Sequence, residues 1–228
     1  LLSFLANLTH KDSNSSEPLN VTSEVTIDKL VVSESISFEG VNSSAHQQED
    51  GWVVSLDGKP LQGVINYQPA DNALAINFKH LVLTTPESET DVVEPEIPLP
   101  EPTDPSLLDQ IPQGTVTIER LVWNGEDWGR WQANISPKSD RVVLEELTAD
   151  VAGINLAGEV QWILYDERTE LNLTATGKSL GNYLEAMGDP RFIETKELSG
   201  AVDLKWPGAP WSFSKYRLSG PIKFDLRN

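Results

Sequence analysis

The side chains that could perform chemistry lie far apart in this chain. The histidines His10, His46 and His80 lack the short spacings typical of zinc ligands, so we predict solvated surface residues and no metal site. With 35 acidic residues, adjacent pairs such as Glu145 and Glu146 are expected from composition alone. A glycosidase would need two carboxylates facing one cleft, and the sequence does not establish this. We therefore predict no catalytic residue.

Several common catalytic and cofactor motifs are missing from the sequence. It contains no P-loop, GxGxxG or HExxH pattern, and it contains no cysteine. We predict that the chain is not an enzyme and binds no cofactor. The net charge of −18 repels phosphate backbones, which excludes nucleic acid as an expected partner.

The seven tryptophans suggest a binding function instead. Flat indole rings stack on sugars, so a carbohydrate-binding or adhesin-like β-sandwich is the alternative function for this sequence. Trp123, Trp128, Trp131 and Trp162, however, alternate with polar residues, which favours positions in a core or along a groove.

The elements that would position these residues are strands. Apolar residues recur with period two, as in Trp52, Val54 and Leu56, and turn signals such as Asp57-Gly58 separate the runs. Short connections predict an antiparallel meander of about fourteen strands. One short helix is predicted near 179–188, where Ser179 can cap its start and Gly188 its end.

An internal repeat supports the strand assignment. VTIDKLV, from Val25, matches VTIERLV, from Val116. In both copies the apolar alternation slips by one residue, and the same slip follows Phe78. One extra residue in a strand is what a β-bulge requires, so we predict bulges at all three places.

Composition divides the chain into four parts. Residues 1–19 form a loose N-terminal segment, 20–85 a β-sheet module, 86–112 a Pro/acid-rich flexible loop, and 113–228 a second β-sheet module. Seven of the fifteen prolines and eight carboxylates lie within 86–112, which disfavours regular structure there. The sequence leaves open whether the two modules share one sheet.

The second module resembles the AsmA-like family, YhdP type. KSLGNYLEAMG (178–188) is similar to that family's short D-L-G-x-L-L-x-x-L-G helix. LKWPGAPW (204–211) and YRLSGPIKFDL (216–226) resemble its final strands, and DPSLLDQIP (104–112) and GEVQW (158–162) resemble two elements upstream. Ser179, where the family usually has an acid, and Pro221 depart from the pattern.

The resemblance implies a mostly β fold: an extended, curled antiparallel sheet, open along an apolar groove in the manner of a β-taco. The chain would be a fragment of a longer periplasmic protein of a Gram-negative bacterium, with its parent anchored in the inner membrane. Its expected partner is phospholipid or another acyl lipid carried towards the outer membrane, in support of envelope integrity. Protein partners are unknown, and the family supplies no catalytic residue.

The apolar residues in phase along the strands are the predicted groove lining, with an ordinary core as the alternative for each. They are Val25, Ile27, Leu30, Trp52, Val54, Leu74, Ile76, Phe78, Val116, Ile118, Leu121, Trp131, Ile135, Leu156, Val160, Trp162, Leu171, Leu173, Leu204 and Trp206.

Overall fold

One large sheet makes up most of the computed structural model. The structure describes residues 22–33, 36–48, 50–84, 108, 110–186, 188–191, 193, 195–213 and 217–227, with the backbone alone for 22–33, 36 and 37. The strands are β1 (Thr22–Ser33), β2 (Ile36–Gln48), β3 (Gly51–Asp57), β4 (Leu61–Gln68), β5 (Ala73–Leu83), β6 (Gln113–Ile118), β7 (Leu121–Trp123), β8 (Glu126–Asp127), β9 (Arg130–Pro137), β10 (Arg141–Val151), β11 (Ile154–Ile163), β12 (Arg168–Gly177), β13 (Glu197–Pro207) and β14 (Ile222–Arg227).

The sheet follows the chain with one interruption. Its strand order is β1-β2-β3-β4-β5-β6-β9-β10-β11-β12-β13-β14, with β7 beside β5 and β8 beside β7. The mostly β, open-sheet prediction is confirmed. The sheet is mixed rather than wholly antiparallel, because β5 pairs in parallel with both β6 and β7. A parallel pair needs a crossover, which the long Pro/acid-rich connection supplies, and the two modules share one sheet.

Strand register separates an apolar face from a polar face. Leu171 of β12 lies opposite Val160 of β11 and Leu204 of β13. The next residue, Asn172, lies opposite Glu159 and Asp203. Since side chains alternate across a strand, each row of partners keeps to one side of the sheet. We call the side of Leu171 the apolar face and the side of Asn172 the polar face.

The sheet curls towards its apolar face. The ring of Phe213 lies 6.1 Å from Trp123 on β7 and 5.5 Å from Trp206 on β13, so the two indoles are within about 12 Å of each other. β7 extends the line of β6, and five strand spacings separate that line from β13. In a flat sheet these strands would be about 24 Å apart, at about 4.8 Å per spacing. The apolar face is therefore concave.

The predicted bulges have three different outcomes. The register of β4 and β5 shifts between Gln62 and Gly63, which leaves Lys79 as an extra residue and confirms the bulge after Phe78. At the second repeat the strand breaks into β6 and β7, which pair with β5 at an unchanged offset.

The bulge predicted at the first repeat is wrong, because β1 and β2 stay in register from Thr22 to Val31. The irregularity lies in β2, where Gly40 has a φ of 66° and Phe38 and Val41 are both buried in one cluster. Ile27 pairs with Val41 and Lys29 with Glu39, so the register with β1 does not shift at Gly40; it shifts later, between Val31 and Ser33.

The predicted helix is confirmed as α1 (Leu180–Ala186). The Ser179 hydroxyl accepts a hydrogen bond from the backbone N–H of Asn182 at 3.2 Å, as an N-cap does. At the other end Gly188 has a φ of 80°, the left-handed conformation that closes many helices. Within the described residues, no helix has the length and apolar character needed to cross a membrane.

Candidate functional site

The apolar face collects the residues that the sequence predicts as groove lining. Register and cluster membership place the seventeen with described side chains on that face. Val54, Leu74, Trp162 and Trp206 are buried, and the other thirteen are half-buried. For Val25, Ile27 and Leu30 the structure describes only the backbone, opposite Ser43, Val41 and Phe38. Lining a lipid groove stays a prediction for all twenty.

Helix α1 covers one end of this face. Leu180 and Tyr183 pack against a cluster formed by Ile154, Ala175 and Leu198. Burial raises the pKa of the Tyr183 phenol, and the carboxylates of Glu126 and Asp189 raise it further. The two side chains of α1 that pack on this cluster, Leu180 and Tyr183, are both uncharged at physiological pH.

A short segment after β13, residues 208–213, covers the other end, and we call it the aromatic strap. Trp211 packs edge-on against Trp162, with ring centroids 5.0 Å apart, while Phe213 contacts Trp206 and Trp123. The indole N–H of Trp206 donates to the carbonyl oxygen of Ala209 at 3.2 Å. The strap is thus held over the apolar face by rings and by backbone hydrogen bonds.

The end of the long crossover packs at the same place. Leu108 is buried in one cluster with Val142, Trp162, Leu164 and Ala209, and Ile111 packs against that cluster. Most of the predicted Pro/acid-rich loop lies outside the described residues.

Between these two ends the apolar face is only partly covered. Along β12, Leu171 and Leu173 lie between Thr169, at the strap, and Ala175, at the helix. Leu171 forms a row with Val160 and Leu204, and Leu173 forms the next row with Gly158 and Val202. The side chains of both rows are half-buried. We call this partly covered stretch the trough, and its two rows are lined by aliphatic side chains.

Four indoles along the curled face differ in their hydrogen bonding. Trp131 donates its N–H to the carbonyl oxygen of Trp128 at 2.7 Å, and Trp206 donates to Ala209. The indole nitrogens of Trp123 and Trp162 are buried and have no acceptor in the described part of the chain. A buried donor without an acceptor is uncommon, because it loses its bond to water and gains none.

The polar face carries the charges. Glu170 forms ion pairs with Arg168 of the same strand at 2.9 Å and with Lys205 of the neighbouring strand β13 at 3.4 Å. Two open hollows of about 690 and 620 Å³ also lie on this side, near Asn172 and Asn155. Among the described residues, no group of three or more histidines or acids is arranged to hold a metal ion.

Sequence reasoning missed several residues at the covered ends. Leu108, Ile111 and Phe213 lie in segments without periodicity, so their packing follows only from the long-range fold. A bulge was missed in β10, where the register shifts between Leu144 and Leu147. Its signal was present, since the apolar alternation slips there as it does after Phe78.

Comparison with known proteins gives a family match. The family model described as YhdP protein matches residues 1–228. No curated protein and no solved structure matches the chain.

Proposed function

The chain belongs to the YhdP family, and on that premise we propose that its trough holds the acyl chains of phospholipid or another acyl lipid. The protein would act in the periplasm of a Gram-negative bacterium, with its parent chain anchored in the inner membrane. It would carry lipid towards the outer membrane and so support the integrity of the envelope. The function proposed is one of binding and conduction, without catalysis.

The observation that carries the proposal is the row of Val160, Leu171 and Leu204 on the concave face. These side chains come from three adjacent strands and stay half-buried, with strap and helix at either end. Each methylene moved from water into such surroundings gains about 0.8 kcal/mol, so about ten methylenes would gain roughly 8 kcal/mol before the costs of ordering.

The charge distribution suits a lipid whose headgroup stays in water. Acids and bases such as Glu170 and Lys205 occupy the polar face, whereas the trough rows are aliphatic. Burying a phosphate among aliphatic side chains would be costly without a paired charge. The acyl chains would therefore lie in the trough with the headgroup at its open rim.

The test is native mass spectrometry with lipid extraction, on protein purified in mild detergent. Leu171→Asp places a charge in the middle of the trough and is expected to abolish bound phospholipid. Asn172→Asp, one residue away on the polar face, is the matched control and is expected to retain it. Both variants need an unchanged far-ultraviolet circular dichroism spectrum.

Two results would contradict the proposal. One is wild-type protein that carries no lipid and takes up none when phospholipid is added. The other is equal lipid content in the two variants, because the side of the sheet would then be irrelevant.

A further inference from the structure

The two buried indole donors without acceptors lie beneath the same segment. Trp211 of the aromatic strap packs on Trp162, and Phe213 of the strap packs on Trp123. Trp162 is 7% exposed, whereas Trp211 and Phe213 are 49% and 43% exposed. The strap thus presents one side of its rings to solvent and covers a donor with the other.

The nearby backbone acceptors already have donors. The Gly208 carbonyl oxygen accepts from the Thr169 hydroxyl at 2.7 Å, and the Ala209 carbonyl oxygen accepts from the indole of Trp206. Neither carbonyl oxygen accepts a hydrogen bond from the Trp162 indole, although Trp162 and Ala209 belong to one buried cluster. The closed arrangement leaves both indole N–H groups with the cost of an unmade hydrogen bond.

We propose that Trp162 and Trp123 bind the ester carbonyl oxygens of an acyl lipid beneath the aromatic strap. This rests on the proposed function and adds to it a polar position that distinguishes ester-linked chains from plain hydrocarbon. The carbonyl oxygen supplies the acceptor that each indole lacks, and the attached chain continues along the trough past Leu171.

The surroundings select an ester among the acceptors that a lipid carries. An ester carbonyl accepts hydrogen bonds and brings no donor of its own, so its burial creates no new unsatisfied group. A phosphate would bring charge into the aliphatic surroundings of Leu108, Leu164 and Val142. A hydroxyl or a water molecule would bring a donor of its own, and the Ala209 carbonyl oxygen of the same cluster already accepts from both the Trp206 indole and the backbone N–H of Ser212.

Entry requires the strap to move. Trp211 and Phe213 are the exposed edge of the cover, and Leu108 packs in the buried cluster that contains Trp162 and Ala209. The lipid chain replaces their apolar contacts with its own, while its ester makes a bond that the closed state lacks. The exchange therefore favours an ester lipid over an ether lipid of the same length.

The experiment compares dioleoylphosphatidylcholine with its diether analogue, titrated against the full chain by native mass spectrometry. Wild type is expected to bind the ester about 3- to 10-fold more tightly. Trp162→Phe removes the donor and is expected to bind the two lipids with equal affinity. Trp131→Phe, whose indole already donates to Trp128, is the control: the loss of its ring contacts acts on both lipids alike, so the ester-to-ether ratio stays as in wild type.

A second measurement uses wild-type protein alone, so it does not depend on the folding of a variant. In wild-type protein labelled with ¹⁵N at the indoles, the Trp162 and Trp123 resonances are expected to shift with the ester lipid and to shift less with the ether. Equal affinities for the two lipids in wild type would overturn the inference, even if both bind. Binding of neither lipid would instead overturn the proposed function itself.

Discussion

Thr169 lies directly opposite Trp206 across β12 and β13, and its hydroxyl donates a 2.7 Å hydrogen bond to the carbonyl oxygen of Gly208. Thr169 is fully buried, and it is one of two buried polar residues among those described. Its position on an otherwise apolar face has a physical reason. A strap that crosses the face has backbone carbonyls to satisfy, and the threonine satisfies one of them.

Replacement of Thr169 by valine keeps the shape of the side chain and removes that bond. We expect Thr169→Val to lower the free energy of unfolding by about 1 kcal/mol, because the Gly208 carbonyl loses its buried donor. Urea denaturation followed by tryptophan fluorescence measures the change. Thr174→Val is the control, since the exposed Thr174 hydroxyl donates to Ala157 at 3.0 Å where water can replace it. If both variants lose the same free energy of unfolding, the hydrogen bond to the strap contributes no more than the exposed one.

The turn between β10 and β11 can be stabilised by a substitution at one position. Ala152 and Gly153 have φ values of 51° and 83°, the left-handed pair of a two-residue hairpin turn. Alanine is disfavoured at the first of these positions and asparagine is favoured. Ala152→Asn is expected to raise the free energy of unfolding by about 0.5–1 kcal/mol.

The same denaturation experiment checks this change. Ala157→Asn, within strand β11, is the matched control and is expected to be neutral or destabilising. A loss of stability in Ala152→Asn would contradict the assigned turn geometry.

Asp127 gives a pH dependence to the turn that precedes β9. The backbone N–H of Gly129 donates to this carboxylate at 2.9 Å, and with the guanidinium of Arg120 it holds the pKa of Asp127 below its ordinary value of 3.8. A lowered folded-state pKa stabilises the protein above the unfolded pKa, and that stability is lost as pH falls through the folded pKa. Its contribution is present at neutral pH and disappears in the acid range below about pH 4.

Asp127→Asn is therefore expected to lose less stability than wild type on acidification from pH 5 to pH 2.5. Urea midpoints at several pH values measure the slope. Arg120→Gln should keep most of the wild-type slope, because the Gly129 hydrogen bond is the larger cause. If the slope of Asp127→Asn is identical to that of wild type, this carboxylate does not contribute to the loss of stability in acid.

Strand β14 is an exposed edge with an apolar side. Phe224 is 58% exposed and lies opposite Gly200 on the apolar face, while Lys223 lies opposite Ala201 on the polar face. An edge of this kind is a template for pairing with another chain. Self-association at high concentration is expected, and Phe224→Ser should weaken it roughly tenfold.

Sedimentation velocity across a concentration series measures the association. Lys223→Ser is the matched control on the other side of the same strand and is expected to leave it unchanged. A chain that stays monomeric at every concentration would contradict the expectation, as would equal effects of the two substitutions.

The two faces of the sheet can be predicted from the sequence, because which face a residue occupies depends on its neighbours along the strand. Period-two alternation around Trp52 and Val54 needs only neighbouring residues, and so do the caps of α1 at Ser179 and Gly188. The bulge after Phe78 can also be predicted, because the apolar alternation slips at the residue that bulges. The bulge predicted near Ile27 was wrong because a slip in the pattern does not say whether the partner strand slips as well.

By itself, then, the sequence determined a β protein with one apolar side, a short capped helix and a resemblance to one family. The tertiary structure decided that β5 and β6 pair in parallel, that the apolar side is concave, and that Leu108, Trp211 and Phe213 cover one end of it. These are contacts between residues far apart in the chain. They depend on the summed twist and bending of many strands, for which no short stretch of residues carries a pattern.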